Sequence, residues 1–158
     1  MTTANRGKPE EQEIEAFFDL MGKDADLYRF EDYAEANFKG PTKTRKIVSA
    51  KPSDYLLTWK GQMCYLEVKA SADPKRFSLK NIRTHQWLRA KRCTMAGGLY
   101  VFWVKSTAHG RWFEIPAEEL LKAREEGKAS VTWDELKEHD STEYMEELRQ
   151  YALADKAK

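Results

Sequence analysis

The pattern of apolar and polar positions predicts an alternation of helices and strands. An apolar stripe at helical spacing predicts a first helix over about residues 9–21, with Pro9 in the first turn, where a helix tolerates proline. Two alternating segments on either side of Lys60-Gly61 predict a β-hairpin. The continuous apolar run over residues 99–104 predicts a central strand that is buried on both faces. The stripe of the first helix consists of Ile14, Phe17, Phe18 and Met21.

The rest of the chain predicts further short elements within one α/β domain, whose mixed central sheet is flanked by helices. Residues 22–45 fit either an irregular helix or a strand and loop. We expect a core over about residues 9–116 and an acidic helical extension over about residues 117–158. A second helix is predicted over residues 78–96, capped by Ser78, with Ile82, His85, Leu88 and Met95 near one face. The later elements are a strand over 112–115, a helix over 118–125, an extended piece over 129–133, and one or two helices up to 154.

Charge is segregated along the chain, although the formal net charge is only +1. Residues 41–112 contain 15 Lys and Arg against 3 Asp and Glu, whereas the segments before and after them are acidic. A basic middle segment is typical of a surface that binds a phosphate backbone. The alternative is that these basic residues face the acidic ends within the fold. We expect backbone contacts without sequence preference from four residues of the second helix, Arg83, Arg89, Lys91 and Arg92.

Other features exclude several classes of protein. No apolar stretch is long enough to cross a membrane, and the polar N-terminus lacks the apolar core of a signal peptide. Cys64 and Cys93 do not have the spacing of a metal-binding motif, and the three histidines are scattered. We therefore expect a reduced, cytoplasmic protein without a zinc site and without a membrane partner.

The hairpin carries the candidate chemistry. With a turn at Lys60-Gly61, Asp54 falls directly opposite Glu67. Two opposed carboxylates are unfavourable unless a cation lies between them, and oxygen ligands suit Mg²⁺ or Mn²⁺. Lys69 lies on the same face as Glu67 and is placed to position an attacking water. This arrangement is that of a phosphodiesterase site.

Alternatives stay open at this point. Lysine is unfavourable at positive φ, and a loop with an odd number of residues would leave the two carboxylates diagonal, although a four-residue loop keeps the same pairing. The hairpin could also be an ordinary surface element in which Lys69 simply pairs with Glu67. On the first helix, Glu11 shares the inward stripe and Glu15 flanks it, so either could add a carboxylate. Each could equally be an exposed glutamate that the helix dipole favours.

The order of helix, hairpin, helix and strand, with acidic residues on the hairpin, is similar to the core of the PD-(D/E)xK, or restriction-endonuclease-like, superfamily. More specifically, short blocks in the same order over most of the chain resemble those of RecU-type Holliday junction resolvases. The Phe-x-Leu-x-Asn…His-Gln stretch is the most distinctive of them. These blocks are Asn5-Arg6-Gly7 with Glu11, Ser53-Asp54-Tyr55, Lys60-Gly61, Leu66-Glu67-Val68-Lys69, Phe77-Ser78-Leu79-Lys80-Asn81 with His85-Gln86, Gly97-Gly98, and Ala129-Ser130-Val131.

The resemblance implies a site and a reaction. Lys69 would orient or activate water, and Gln86 would stand near the site and help to hold DNA or a metal-bound water. The reaction implied is Mg²⁺-dependent hydrolysis by an endodeoxyribonuclease, in which a homodimer resolves four-way DNA junctions by paired symmetric nicks that leave 5′-phosphate ends. The implied metal ligands are Glu11, Asp54, Glu67 and the carbonyl oxygen of Val68.

One departure from the family concerns the stalk that bacterial RecU proteins insert before the Asp strand. Only residues 39–53 are available here, which is too short for a long stalk, although Lys43, Arg45 and Lys46 are placed to grip phosphate. A compact form of this kind would suit an enzyme of a phage or prophage. Two other functions stay open, namely a related nuclease that cuts other branched, flap or linear DNA, and a non-catalytic DNA-binding module.

Overall fold

The computed structural model describes residues 8–31 and 50–158. Lys43, Arg45, Lys46 and the block Asn5-Arg6-Gly7 therefore lie outside the described residues. No helix in the described part is long and apolar enough to cross a membrane. The helices there are α1 (Pro9–Leu20), α2 (Thr84–Met95), α3 (Ala117–Glu125) and α4 (Thr142–Lys156). The strands are β1 (Ala25–Arg29), β2 (Tyr55–Trp59), β3 (Gln62–Ser71), β4 (Arg76–Ser78), β5 (Tyr100–Ser106), β6 (Arg111–Pro116) and β7 (Ser130–Thr132).

The main sheet of the described residues is mixed and has the strand order β1-β2-β3-β5-β6. β3 and β5 are parallel, and the other neighbouring pairs are antiparallel. β4 and β7 form a separate antiparallel pair. The predicted mixed sheet flanked by helices is confirmed. β5 is an interior strand between β3 and β6 and is buried on both faces, as its continuous apolar run predicts, although β3 is the central strand.

Each face of the main sheet is covered by helices and has its own apolar core. On one face, Phe17 of α1 and Met145 of α4 are buried against strand residues such as Trp103. On the other face, Trp87 of α2 and Leu120 of α3 are buried with strand residues of the opposite alternation. Residues after position 116 therefore contribute to both cores. Side chains of this size stabilise the fold by about 1.5–3 kcal/mol each when fully buried.

The hairpin has the predicted register. Tyr55 is paired with Leu66 and Trp59 with Gln62, so Asp54 follows directly opposite Glu67. The turn has two residues, with φ of 54° at Lys60 and 74° at Gly61, as a type I′ turn requires. Its lysine ammonium lies 4.2 Å from the ring centre of Trp59 and 4.3 Å from that of Tyr144. These cation–π contacts offset the unfavourable φ of the lysine.

The structure corrects the second predicted helix. α2 begins at Thr84 instead of residue 78, because residues 76–78 form β4 and the next three form a 3₁₀ turn, Leu79–Asn81. The predicted apolar face is wrong, since His85, Leu88 and Met95 are exposed. Ile82 is buried, but it precedes α2 and does not fix the helix phase. The buried residues of α2 are Trp87 and Ala90.

The structure also shows what forms in part of residues 22–45, for which the pattern fits either an irregular helix or a strand and loop. Residues 25–29 form β1, which pairs antiparallel with β2 and is an edge strand of the sheet. Its residues alternate between half-buried and exposed and none is fully buried, as suits a strand at the edge of a sheet. β1 brings Arg29 beside the start of β2, opposite Tyr55.

Candidate active site

The start of β2 positions Asp54 against the backbone of β3. Its carboxylate takes the place of a strand partner, because Oδ2 accepts a hydrogen bond of 2.9 Å from the backbone N–H of Val68. The peptide carbonyl of Asp54 accepts a 3.0 Å hydrogen bond from the backbone N–H of Phe30. Only 8% of Asp54 is exposed. Its side chain is therefore held in one orientation next to the strand that carries Glu67.

Glu67 projects from β3 toward α2 and is only 2% exposed. Its Oε1 accepts a hydrogen bond of 2.6 Å from the side-chain amide nitrogen of Gln86. The ammonium of Lys69 lies 3.6 Å from the same oxygen. Alternation along β3 places Glu67 and Lys69 on one face, as predicted.

Gln86 connects the site to the first turn of α2. Its side-chain carbonyl oxygen accepts a 2.9 Å hydrogen bond from the ammonium of Lys69 and another of 2.9 Å from the backbone N–H of Arg83. Both ends of the amide have partners, which fixes its orientation. The carbonyl end therefore holds Lys69, while the amide end holds Glu67.

Burial and neighbouring charge shift the pKa values of the site in opposite directions. Burial raises the pKa of Glu67, and the Asp54 carboxylate and a hydrogen bond between the two carboxyl groups raise it further, against the effect of Lys69 and Lys51. Burial lowers the pKa of Lys69, against the effect of the two carboxylates. Acid–base groups whose pKa values move toward neutrality in this way are typical of catalytic sites.

Lys51 belongs to the site, although the sequence motifs do not point to it. Its ammonium lies 3.2 Å from Oδ1 of Asp54, three residues further along the chain. The only available signal is this i, i+3 spacing, which is too common to single out one lysine. Sequence reasoning therefore missed a cation that contacts a predicted metal ligand.

Glu15 of α1 lies in a second, charge-balanced cluster near β1. Its Oε1 accepts hydrogen bonds from the guanidinium of Arg29, at 2.9 Å, and from the hydroxyl of Tyr55, at 2.7 Å. Glu11 also approaches this cluster, because its Oε2 lies 3.8 Å from the Arg29 guanidinium. Arg29 therefore serves two of the carboxylates that the sequence offers as helix ligands.

Glu11 lies in the first turn of α1, next to Lys8. Its Oε2 accepts a 2.7 Å hydrogen bond from the backbone N–H of Lys8, and the charge of Lys8 contributes to lowering the pKa of Lys69. Within residues 8–31 and 50–158, however, no three His, Cys, Asp or Glu residues are grouped closely enough to hold a metal ion. The structure thus brings Asp54, Glu67, Lys69 and Gln86 together, whereas Glu11 lies beside Arg29.

The predicted DNA-contacting residues of α2 are all exposed, and they differ in position. Arg83 is the N-cap residue of α2, and its charge also contributes to lowering the pKa of Lys69. Arg89 follows Gln86 by three residues and lies on the same side of the helix. Lys91 lies on the opposite flank, beyond the buried residue Trp87, as helical geometry requires. Arg92 lies on the side of the helix that faces solvent.

Comparison with known proteins gives one family match. The model of the family described as Recombination protein U matches residues 31–151. No curated protein sequence matches the chain. Among solved structures, Hjc, a Holliday junction resolvase from the archaeal hyperthermophile Archaeoglobus fulgidus, is 15% identical, with a TM-score of 0.44 over 71% of this chain and 78% of that chain. Because the family match spans more than half of the sequence, the chain belongs to the Recombination protein U family, the RecU-type Holliday junction resolvases that its motifs resemble, and is a DNA endonuclease.

Proposed function

We propose that this resolvase cuts four-way DNA junctions by metal-dependent hydrolysis, with paired symmetric nicks that leave 5′-phosphate and 3′-hydroxyl ends. The observation that carries the proposal is the buried pair of carboxyl groups of Asp54 and Glu67, with Lys69 held beside it by Gln86. Such a pair is costly to bury in a protein that only binds DNA. The exposed Arg83 at the start of α2 acts on Lys69 beside this pair, and its positive charge supports attraction of a phosphate backbone.

The donor set of this pair fits a divalent cation that prefers oxygen ligands. Burial and the neighbouring Asp54 disfavour the charged form of Glu67, so a cation bound to both carboxylates would remove an unfavourable interaction. Mg²⁺, or Mn²⁺ in its place, would polarise the phosphate and lower the pKa of a water molecule. The proposed ligands are Glu11, Asp54, Glu67 and the carbonyl oxygen of Val68.

The side chains around the proposed ligands position the reacting groups and transfer protons. Burial lowers the pKa of Lys69, and its amine is placed beside the carboxylates, where it would orient the attacking water or exchange a proton with it. Gln86 fixes that amine at 2.9 Å and holds Glu67 at 2.6 Å, which keeps both groups in one geometry. Gln86 is thus a positioning residue in this proposal.

The proposed assembly is a homodimer, because symmetric nicks need two sites related by a two-fold axis. Each copy would contact phosphates through the basic residues of α2. Binding should therefore weaken steeply as salt concentration rises, since each neutralised phosphate releases counterions. A titration without salt dependence would contradict a DNA surface of this kind.

The experiment that tests the proposal compares cleavage of a synthetic four-way junction with cleavage of a linear duplex of the same sequence, in Mg²⁺ and in EDTA. Wild type should cut only the junction, at symmetric positions and only with metal, and the Asp54→Asn variant should bind the junction without cutting it. Equal cutting of both DNAs would support a nuclease activity and contradict the preference for junctions. Binding without cutting in Mg²⁺ and Mn²⁺ would favour a non-catalytic module.

A further inference from the structure

Lys51 occupies the oxygen of Asp54 that the backbone of β3 leaves available. Oδ2 of Asp54 accepts the hydrogen bond from the N–H of Val68, and the ammonium of Lys51 lies 3.2 Å from Oδ1. The Lys51 side chain is 22% exposed, so this ion pair is partly shielded from solvent. Both oxygens of a proposed metal ligand therefore already have partners.

The position of Lys51 is fixed by the segment that carries it. The carbonyl oxygen of Pro52 accepts a 2.8 Å hydrogen bond from the hydroxyl of Tyr100, which lies on the interior strand β5. Ser53 is buried, and its hydroxyl donates a 2.6 Å hydrogen bond to the carbonyl oxygen of Tyr55. These contacts anchor the backbone at Pro52 and Ser53, the two residues between Lys51 and Asp54.

We propose that Lys51 is a displaceable cation that neutralises the Asp54–Glu67 pair in the metal-free enzyme and leaves Oδ1 of Asp54 when the divalent ion binds. This inference rests on the proposed function, since it assumes that Asp54 is a metal ligand. A divalent ion bound to Oδ1 would repel the ammonium on the same oxygen and, with twice its charge, would compete with it for Asp54. Lys51 is then a positioning residue, which compensates the charge of Asp54 beside Glu67 until the ion replaces it.

The first test uses the wild-type protein and follows the reactivity of individual lysines. Acetylation of each amine by a lysine-specific reagent is measured by mass spectrometry in EDTA and in Mg²⁺ at equal ionic strength, without DNA. Lys51 should react several times faster in Mg²⁺, because its ammonium no longer lies on Asp54. Lys105, which pairs with Glu13 on the other face of the sheet, should react at the same rate in both. An unchanged or slower reaction of Lys51 in Mg²⁺ would overturn the inference.

The second test measures Mn²⁺ binding to the DNA-free protein by electron paramagnetic resonance. Lys51→Met removes the competing charge and should bind Mn²⁺ about fivefold more tightly than wild type, the upper range for loss of one ion pair near a surface. Lys51→Arg keeps the charge and should bind like wild type. Lys105→Met is the matched control, because it removes the same charge from a lysine–glutamate pair on the other face and should leave the Mn²⁺ affinity unchanged.

The outcomes separate this inference from the proposed function. If wild type binds Mn²⁺ and Lys51→Met binds it equally or more weakly, only the role of Lys51 is wrong. If wild type binds neither Mn²⁺ nor Mg²⁺, the metal-dependent mechanism fails and the role of Lys51 fails with it. Thermal unfolding supplies a check on folding, because Lys51→Met should lose more stability relative to wild type in EDTA than in Mg²⁺.

Discussion

Two clusters of carboxylates lie near the start of β2, and they differ in how their charge is compensated. In the cluster of Glu15, Arg29 and Tyr55, one carboxylate oxygen accepts hydrogen bonds from a guanidinium and a hydroxyl. In the cluster of Asp54 and Glu67, two carboxyl groups lie together in a buried setting, and burial and mutual repulsion raise the pKa of Glu67.

The difference shows which cluster is structural and which is suited to chemistry. A paired carboxylate near the surface contributes modestly to stability and asks for no further ligand. The buried pair stays unfavourable even with Lys51 and Lys69 beside it, because the pKa of Glu67 remains raised, and such local electrostatics are found where a fold serves a reaction. Substitutions in either cluster should therefore have different effects on cleavage and on stability.

The largest effect is expected on cleavage. Asp54→Asn should reduce the rate of junction cleavage in Mg²⁺ by at least about a hundredfold, the scale of losing one strong electrostatic contact to the reacting groups. Glu15→Gln, which makes the same chemical change in the other cluster, should alter that rate by no more than a few times. The measurement is single-turnover cleavage of a labelled four-way junction at saturating protein.

Junction binding in EDTA serves as the control for both variants. Asp54→Asn should bind the junction at least as tightly as wild type, because the substitution removes a negative charge near the phosphate. A loss of cleavage in Glu15→Gln as large as that in Asp54→Asn would show that the balanced cluster is also part of the catalytic machinery.

A smaller effect, of the opposite sign, is expected on stability. Glu67→Gln should raise the free energy of unfolding of the metal-free protein at alkaline pH by about 1–3 kcal/mol, because it removes a buried charge. The new amide can still accept from Gln86 and donate to the carboxylate of Asp54. Chemical unfolding in EDTA measures the difference, and cleavage should be lost in the same variant.

The pH dependence of that difference follows from the raised pKa of Glu67. A raised pKa in the folded state means that Glu67 contributes to stability at low pH and that the contribution is lost as pH rises through the raised value. Glutamine does not titrate, so the advantage of Glu67→Gln should grow between about pH 5 and about pH 9, on either side of that pKa. A difference that does not change with pH would show that Glu67 is charged throughout.

Substitution of Arg29 removes the cation of the cluster formed by Glu15, Arg29 and Tyr55. Arg29→Met should lower the free energy of unfolding by about 1 kcal/mol, a modest value because the guanidinium is 34% exposed. A double-mutant cycle with Glu15→Gln should give a coupling energy of about 0.5–1 kcal/mol for this pair. A coupling energy of zero would mean that the contact is not stabilising, and the contrast between the clusters would weaken.

The main sheet and the hairpin were predictable because local patterns determine them. Alternation and the Lys60-Gly61 turn predict the register that places Asp54 opposite Glu67, and the register depends on few residues. β1 was not predictable in the same way, since a short edge strand without a fully buried residue becomes a strand only by pairing with β2. The phase of α2 was also missed, because Trp87 is buried by its contact with β5 and α3, which the helix sequence alone does not contain.

The contacts of the site also divide into those that the local sequence predicts and those that depend on tertiary structure. Glu67 and Lys69 lie on one face because they alternate on one strand, which the sequence shows directly. Lys51 contacts Asp54 only because Tyr100 anchors the intervening segment, and Arg29 reaches Glu15 only because β1 forms. Such contacts depend on tertiary structure, which motifs and spacings do not describe.

The smallest effect concerns DNA binding and distinguishes the two flanks of α2. Arg89→Ala should weaken junction binding about threefold and reduce the slope of log affinity against log salt by about 1, as loss of one phosphate contact does. Lys91→Ala removes the same charge from the flank away from Gln86, so its effect on affinity and slope should be smaller. The comparison is made by fluorescence anisotropy at several salt concentrations in EDTA, where no cutting occurs. Equal effects of the two variants would mean that the total charge of α2 attracts DNA, without a preferred side. The expected difference would place the phosphate backbone along the side of α2 that carries Gln86 and leads to Asp54 and Glu67.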